Sequence, residues 1–141
     1  MERANRLLSH LTAPSHTNCV QSSQTKSDKA DASISTHVLN TTLGQPGRGM
    51  RLMLEQQTAD DQWRALVSGE TNDDGRVAQG TIPRVAPGVY RMTFFTAEYF
   101  AAQKLKCFYP SVKVEFTIEG GGHYHVPLLV SPYGFSTYRG S

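Results

Sequence analysis

Two histidines separated by one residue are the most informative chemical feature of this chain. His123 and His125 stand in the run His-Tyr-His. Residues two apart in a strand project from the same face, so the imidazoles are expected side by side, with Tyr124 on the opposite face. Neutral imidazole accepts a proton near neutral pH and also ligates metal ions. The spacing is consistent with a general base, with a zinc site, and with a purely structural pair.

Two further candidates stand far from this pair in the sequence. His37 lies in a predicted strand and is the third ligand that a zinc site would need. Arg76 follows a predicted Asp74-Gly75 turn, where an exposed hairpin cation is the simplest interpretation. Neither glycine-rich stretch is followed by Lys-Ser or Lys-Thr, and no Gly-x-Ser-x-Gly occurs, so the sequence predicts neither a phosphate loop nor a serine hydrolase elbow.

The elements that must position these residues are predicted from hydrophobic periodicity. Apolar and polar residues alternate through most of the chain after residue 33, which is typical of half-buried strands. One helix is expected from an N-cap at Thr96 to Lys106, and Pro110 prevents it from continuing. The pattern predicts an all-β, antiparallel β-sandwich with one short helix. The predicted strands cover residues 34–42, 50–55, 63–68, 89–95, 112–118 and 123–130.

Composition narrows the class of protein. The 141 residues carry 14 Lys+Arg and 12 Asp+Glu, a net charge of +2, which is too close to neutral for a nucleic-acid-binding surface. No apolar run approaches the ~18 residues of a membrane span, so no membrane partner is expected. With Cys19 and Cys107 alone, the chain has no disulfide scaffold, which favours a reducing compartment.

Residues 1–33 differ from the rest of the chain. Residues 21–33 contain no aromatic and no large aliphatic side chain, which predicts a flexible extension. Ahead of them, Arg3 and Ala4 are followed by five residues and then by His10-Leu11, which resembles an N-terminal peroxisomal import signal. The expected location is therefore the peroxisome, with an import receptor as partner, and otherwise the cytoplasm. A frayed tail is the other interpretation.

Three separated blocks resemble the family of transthyretin-like 5-hydroxyisourate hydrolases. The first is Thr36-His37-Val38-Leu39 with the following Gly44-x-Pro46, and the second is Asp74-Gly75-Arg76. The third runs from His123 through Val126-Pro127-Leu128-Leu129 to the closing Tyr138-Arg139-Gly140-Ser141. That closing tetrapeptide separates the enzymes from the hormone carrier transthyretin. The resemblance covers residues 34–141, which defines the expected hydrolase domain.

The resemblance implies a fold, an activity and an assembly. The implied reaction is hydrolysis of 5-hydroxyisourate to 2-oxo-4-hydroxy-4-carboxy-5-ureidoimidazoline in urate degradation, by histidine-activated water and without a metal or other cofactor. The implied assembly is a homotetramer, a dimer of dimers with active sites between subunits. The alternative is a transthyretin-like carrier of a small aromatic ligand. The implied catalytic residues are His37, Arg76 and His125, and the implied substrate-binding residues are His123, Tyr138, Arg139, Gly140 and Ser141.

Overall fold

The computed structural model describes residues 31–141, and their structure is dominated by β-strands. The predicted all-β class with one short helix is confirmed. The helix, α1, spans Thr96–Ala101. The strands are β1 Ala32–Ser35, β2 Val38–Asn40, β3 Gln45–Pro46, β4 Arg51–Gln57, β5 Trp63–Glu70, β6 Gly88–Phe94, β7 Val112–Ile118, β8 Gly122–His125, β9 Leu128–Ser131 and β10 Gly134–Thr137.

The strands form two layers around one apolar core. One sheet has the order β5-β4-β6-β7 and is antiparallel throughout. The facing layer consists of the sheet β10-β9-β2-β3 and the two-stranded pair β1-β8. Apolar side chains from both layers meet in a single buried cluster, which supplies the main driving force for folding. Its largest fully buried side chains include Tyr90, Phe94, Phe100, Met50, Leu52 and Leu54.

The second layer is mixed, because its two central pairings are parallel. β1 pairs in parallel with β8, and β2 pairs in parallel with β9. The predicted strands 34–42 and 123–130 are each divided in two at the same level. The division falls where the Val126 carbonyl oxygen accepts a hydrogen bond from the Thr36 hydroxyl. Backbone bonds between the two segments continue on either side of this point, from Val126 N to Ser35 O and from Leu128 N to His37 O, both at 2.8 Å.

The helix begins and ends differently from the prediction. Phe95, not Thr96, is the N-cap, and it makes no side-chain capping bond. The Thr96 hydroxyl instead donates to the carbonyl oxygen of Tyr109 at 2.9 Å, so a tertiary contact takes the group expected to cap the helix. The helix ends at Ala101, well before Lys106, and Lys104 follows with a left-handed backbone, φ 59°. That conformation stops the helix without help from Pro110.

The first strand begins two residues before the predicted boundary at residue 34. Ala32 and Ser33 belong to β1, where they pair with Gly122 and His123, although the sequence assigned them to the extension. Backbone hydrogen bonds of the β1-β8 ladder order them, and their composition could not show this. The predicted import signal, which includes Arg3 and Leu11, lies outside the described residues and stays a prediction. Within residues 31–141, no helix is long and apolar enough to cross a membrane.

A buried hydroxyl ties β1 to the segment that follows β8. Thr36 is 2% exposed and donates to the Val126 carbonyl oxygen at 2.7 Å. Thr36→Val keeps the shape of the side chain but leaves that buried oxygen without this partner. We expect the free energy of unfolding to fall by about 1–3 kcal/mol, as measured by urea denaturation.

Thr117→Val is the matched control, because Thr117 is an exposed residue of β7. We expect its free energy of unfolding to stay within about 0.5 kcal/mol of wild type. Equal stability of the two variants would show that the Thr36 bond does not hold these segments together.

Candidate active site

The two histidines of β8 face two serines of β1. The parallel register places Ser33 opposite His123 and Ser35 opposite His125. The Ser33 hydroxyl lies 2.7 Å from Nδ1 of His123, and the Ser35 hydroxyl lies 2.7 Å from Nε2 of the same ring. The Ser35 hydroxyl is also 2.7 Å from Nδ1 of His125. One serine therefore bridges the imidazoles that the sequence predicted to lie side by side.

A tight turn over residues 72–76 brings Arg76 beside His37. The Asn72 side-chain oxygen accepts from Arg76 N at 3.1 Å, and Gly75 N donates to Asn72 O at 2.9 Å. Gly75 has φ 73°, and a Cβ there would collide with the carbonyl oxygen of Val38, so only glycine fits. Arg76 is thereby held in an antiparallel bridge to His37.

The C-terminal segment packs against the second histidine. Gly140 N donates to His125 O at 2.9 Å, and the two residues form an antiparallel bridge. A Cβ at residue 140 would lie 3.0 Å from Cγ of His125 and closer still to another ring atom. The Arg139 guanidinium lies 4.6 Å from the centre of the Tyr124 ring, a cation–π contact. The close approach of backbone to imidazole explains why glycine stands at residue 140.

The cluster lies between two cavities. One, of about 370 Å³, touches the cluster through Ser33, Ser35, Arg76 and His123. The other, of about 320 Å³, is lined by His125, Tyr138 and Arg139 together with residues of β7. Neither cavity encloses the whole cluster, and Arg76, His123, Arg139 and Ser141 are exposed. As a single chain, the site is an open surface.

The electrostatic setting of His125 favours its neutral form. Partial burial, which penalises the imidazolium, is the largest cause of the lowered pKa of His125. The positive charge of Arg76 and the neighbouring rings of His123 and His37 lower this pKa further. A ring with a lowered pKa stays unprotonated, and able to accept a proton, to a more acidic pH than a free imidazole.

The zinc site considered from the sequence requires His37, His123 and His125 around one metal ion. Within residues 31–141, no three His, Cys, Asp or Glu side chains are placed to hold one metal ion. Both ring nitrogens of His123 and Nδ1 of His125 are instead hydrogen-bonded to serine hydroxyls. The donor set therefore does not fit a three-histidine metal site.

The structure brings most of the predicted site residues into one cluster. His37, Arg76, His123, His125 and Gly140 are joined by backbone bridges, shared serines or mutual electrostatic influence. Tyr138 and Arg139 line the second cavity beside His125, and Ser141 is the exposed chain end.

Sequence reasoning missed Ser33 and Ser35. Their signal was the two-residue spacing Ser33-x-Ser35-x-His37, which places all three on one face of an extended segment. That spacing could not say which strand they would face, because the partner strand is about ninety residues away in sequence.

Comparison with known proteins identifies the family of this chain. The model of the HIUase/Transthyretin family matches residues 34–140, and the chain belongs to that family. The 5-hydroxyisourate hydrolase of Salmonella dublin is 46% identical over 110 residues, which are 77% of this chain and 80% of the relative. Because curated relatives such as this one and that of Mus musculus are named hydrolases, the chain is a hydrolase of the family.

Solved structures of the same family have the fold of this chain. The Klebsiella pneumoniae 5-hydroxyisourate hydrolase matches with a TM-score of 0.68 and 31% identity, over 78% of this chain and 94% of that one. Sea bream transthyretin in complex with thyroxine matches with a TM-score of 0.72 and 29% identity, over 76% and 93%. The backbone is therefore shared by enzymes and a hormone-binding protein, and side chains must distinguish them.

The lowered pKa of His125 can be measured directly. We expect an NMR titration to place it below the ordinary imidazole value of about 6.5. Arg76→Gln removes a nearby positive charge and should raise the pKa of His125 relative to wild type. Lys104→Gln, on the exposed turn after α1, is the control and should leave it unchanged. A His125 pKa that is the same in both variants and in wild type would contradict the electrostatic effect assigned to Arg76.

Proposed function

We propose that this chain hydrolyses 5-hydroxyisourate to 2-oxo-4-hydroxy-4-carboxy-5-ureidoimidazoline in urate degradation. The observation that carries the proposal is the juxtaposition of a half-buried, neutral-favouring His125 with Arg76 and His37. Curated relatives that are 46% and 41% identical to this chain are named 5-hydroxyisourate hydrolase. Imidazole and guanidinium groups are the ones such a hydrolysis needs.

In the proposed reaction, His125 acts as the general base. A water molecule forms a new C–O bond with the activated acyl carbon of the substrate ring, and the histidine takes the proton it loses. The lowered pKa of His125 keeps the base available at neutral pH. His37 helps to position the water, and His123 orients the base through Ser35.

Arg76 stabilises the charge that develops on the acyl oxygen. Its guanidinium presents several N–H donors in a fixed plane, suited to an oxyanion or to the paired carbonyls of a flat heterocycle. Collapse of the tetrahedral intermediate breaks the ring C–N bond, and the proton held by the base goes to the departing nitrogen. The ring opens, and water is the only other reactant.

A second copy of the chain closes the site in the proposed homotetramer. Residues 138, 139 and 141 and the Arg76 side chain are exposed, and neither of the two cavities beside the cluster encloses all of them, which supports closure by a neighbouring subunit. Excluding water from such a surface would strengthen the Arg76 contribution, since electrostatic interactions grow as the local dielectric falls.

Ultraviolet decay of freshly generated 5-hydroxyisourate tests the proposal. We expect the wild-type chain to accelerate decay with or without a chelator, and His125→Ala and His37→Ala to lower kcat by about 10²–10⁴-fold. Light scattering should give a tetramer mass for wild type and both variants. Lys113→Ala, on the exposed side of β7, is the control and should keep wild-type turnover.

Three other outcomes would redirect the assignment. Unaltered decay together with binding of an aromatic ligand would favour the transthyretin-like carrier. Activity lost in chelator would favour a metal-dependent site. Near-normal turnover in both histidine variants would remove histidine from the role of base.

The C-terminal segment is proposed to complete the substrate pocket. Gly140→Ala places a methyl group against the His125 ring, and we expect it to lower kcat/KM by about 10- to 100-fold by displacing the base. Gly120→Ala is the matched control, because a Cβ there meets nothing within 4 Å. Deletion of residues 138–141 should abolish activity. Full activity in the deleted chain would exclude the segment from the site.

A further inference from the structure

The Ser35 hydroxyl lies within hydrogen-bond distance of two imidazole nitrogens but has only one proton to donate. It lies 2.7 Å from Nε2 of His123 and 2.7 Å from Nδ1 of His125. A hydroxyl donates one hydrogen bond and otherwise accepts. The two nitrogens therefore cannot both be bare: if one accepts the Ser35 proton, the other must carry a proton and donate to the Ser35 oxygen. The two imidazoles cannot choose their tautomers independently.

The bond from Ser33 to Gly122 determines which group donates and which accepts along the hydrogen-bonded chain. Nδ1 of His123 lies 2.7 Å from the Ser33 hydroxyl, and that hydroxyl donates to the Gly122 carbonyl oxygen at 3.4 Å. A carbonyl oxygen can only accept. With its proton directed to Gly122, Ser33 accepts from a protonated Nδ1 of His123. Nε2 of His123 is then bare and accepts from Ser35.

The same direction determines the state of the last ring. Ser35 gives its proton to His123, so its oxygen accepts from a protonated Nδ1 of His125. A neutral imidazole carries one proton, and Nε2 of His125 is left with a free lone pair. That nitrogen is the only atom of the two rings, within this chain of bonds, that remains free to take a proton from water.

We propose that Ser35 is a positioning residue that holds His125 in the Nδ1–H tautomer, with Nε2 directed to the reacting water, and that His123 and Ser33 set the polarity of the serine–histidine chain. The inference rests on the proposed hydrolysis for its functional meaning. Its structural content, the tautomer of His125, stands independently of which substrate is hydrolysed.

The other charged groups around His125 agree with this arrangement. Arg76 follows the Asp74-Gly75 turn, and His37 lies between β1 and β2. Both lower the pKa of His125 electrostatically. The positive charge of Arg76 disfavours a second proton on the His125 ring. The single proton is then favoured on Nδ1, where the Ser35 oxygen can accept its hydrogen bond. Arg139, from the C-terminal segment, is directed to the Tyr124 ring.

Long-range ¹H–¹⁵N NMR of the imidazoles tests the tautomer in the intact protein. At a pH above the titration of His125, we expect the wild-type ring to show a protonated Nδ1 and an unprotonated Nε2. The Ser35→Ala variant should show averaged nitrogen shifts from a mixture of tautomers, and its kcat/KM should fall by about tenfold or more. A protonated Nε2 in wild type would overturn the proposal without any variant.

Two further variants separate positioning from a general structural effect. Ser35→Thr keeps the hydroxyl on a strand, where threonine is well tolerated, and should restore both the tautomer and most of the activity. Ser68→Ala, on the exposed side of β5, is the control and should leave both the tautomer and kcat/KM unchanged. If Ser35→Ala leaves the His125 shifts and kcat/KM unchanged, or Ser35→Thr fails to restore them, Ser35 is not the positioning residue.

The two readouts distinguish failure of this inference from failure of the proposed function. A wild-type chain inactive on 5-hydroxyisourate, but with a bare Nε2 on His125 that depends on Ser35, would contradict the substrate and keep the tautomer assignment. An active wild-type chain with a protonated Nε2 on His125 would keep the substrate and contradict the tautomer assignment.

Discussion

The parallel pairing of residues 32–40 with residues 122–130 is the constraint on which the rest of the site depends. It joins segments about ninety residues apart, and its register places each serine of β1 beside a histidine of β8. A shift of one residue would turn one set of side chains to the opposite face and separate them. Between the two pairs of strands, the buried Thr36 hydroxyl and the flanking backbone bonds keep the same register.

The same pairing explains why the functional groups are half-buried and not enclosed. Apolar residues of both segments alternate into the core, so the polar ones must face outward at the rim of the sandwich. There the imidazole of His125 loses enough water for its pKa to fall, while Arg76 stays solvated at the tip of its turn. This position reconciles a neutral base with a nearby permanent charge. Full burial of the guanidinium without a partner would be far more costly.

Much of the fold was accessible from local patterns. The strands β4 to β7 were predicted close to their observed bounds, and the alternation of buried and exposed residues is clearest in β7. The turn before Arg76 was predicted from Asp74-Gly75, because glycine readily adopts the positive φ that such a turn needs. The errors arose where distant atoms competed with local preference. Thr96 was expected to cap its helix and instead donates to Tyr109, and the mixed pairing of the second layer depends on long-range neighbours.

Residue type and the two-residue period of a strand are local properties, so the available groups and the strand face of each could be predicted without the fold. The histidines, the arginine and the closing tetrapeptide were identified in this way. The position of Ser35 between two imidazoles, and of the Gly140 backbone against one of them, became visible only in the folded chain. Periodicity specifies a face but not a partner. The partner and its register are set by hydrogen bonds between segments that meet only when the whole sandwich is formed.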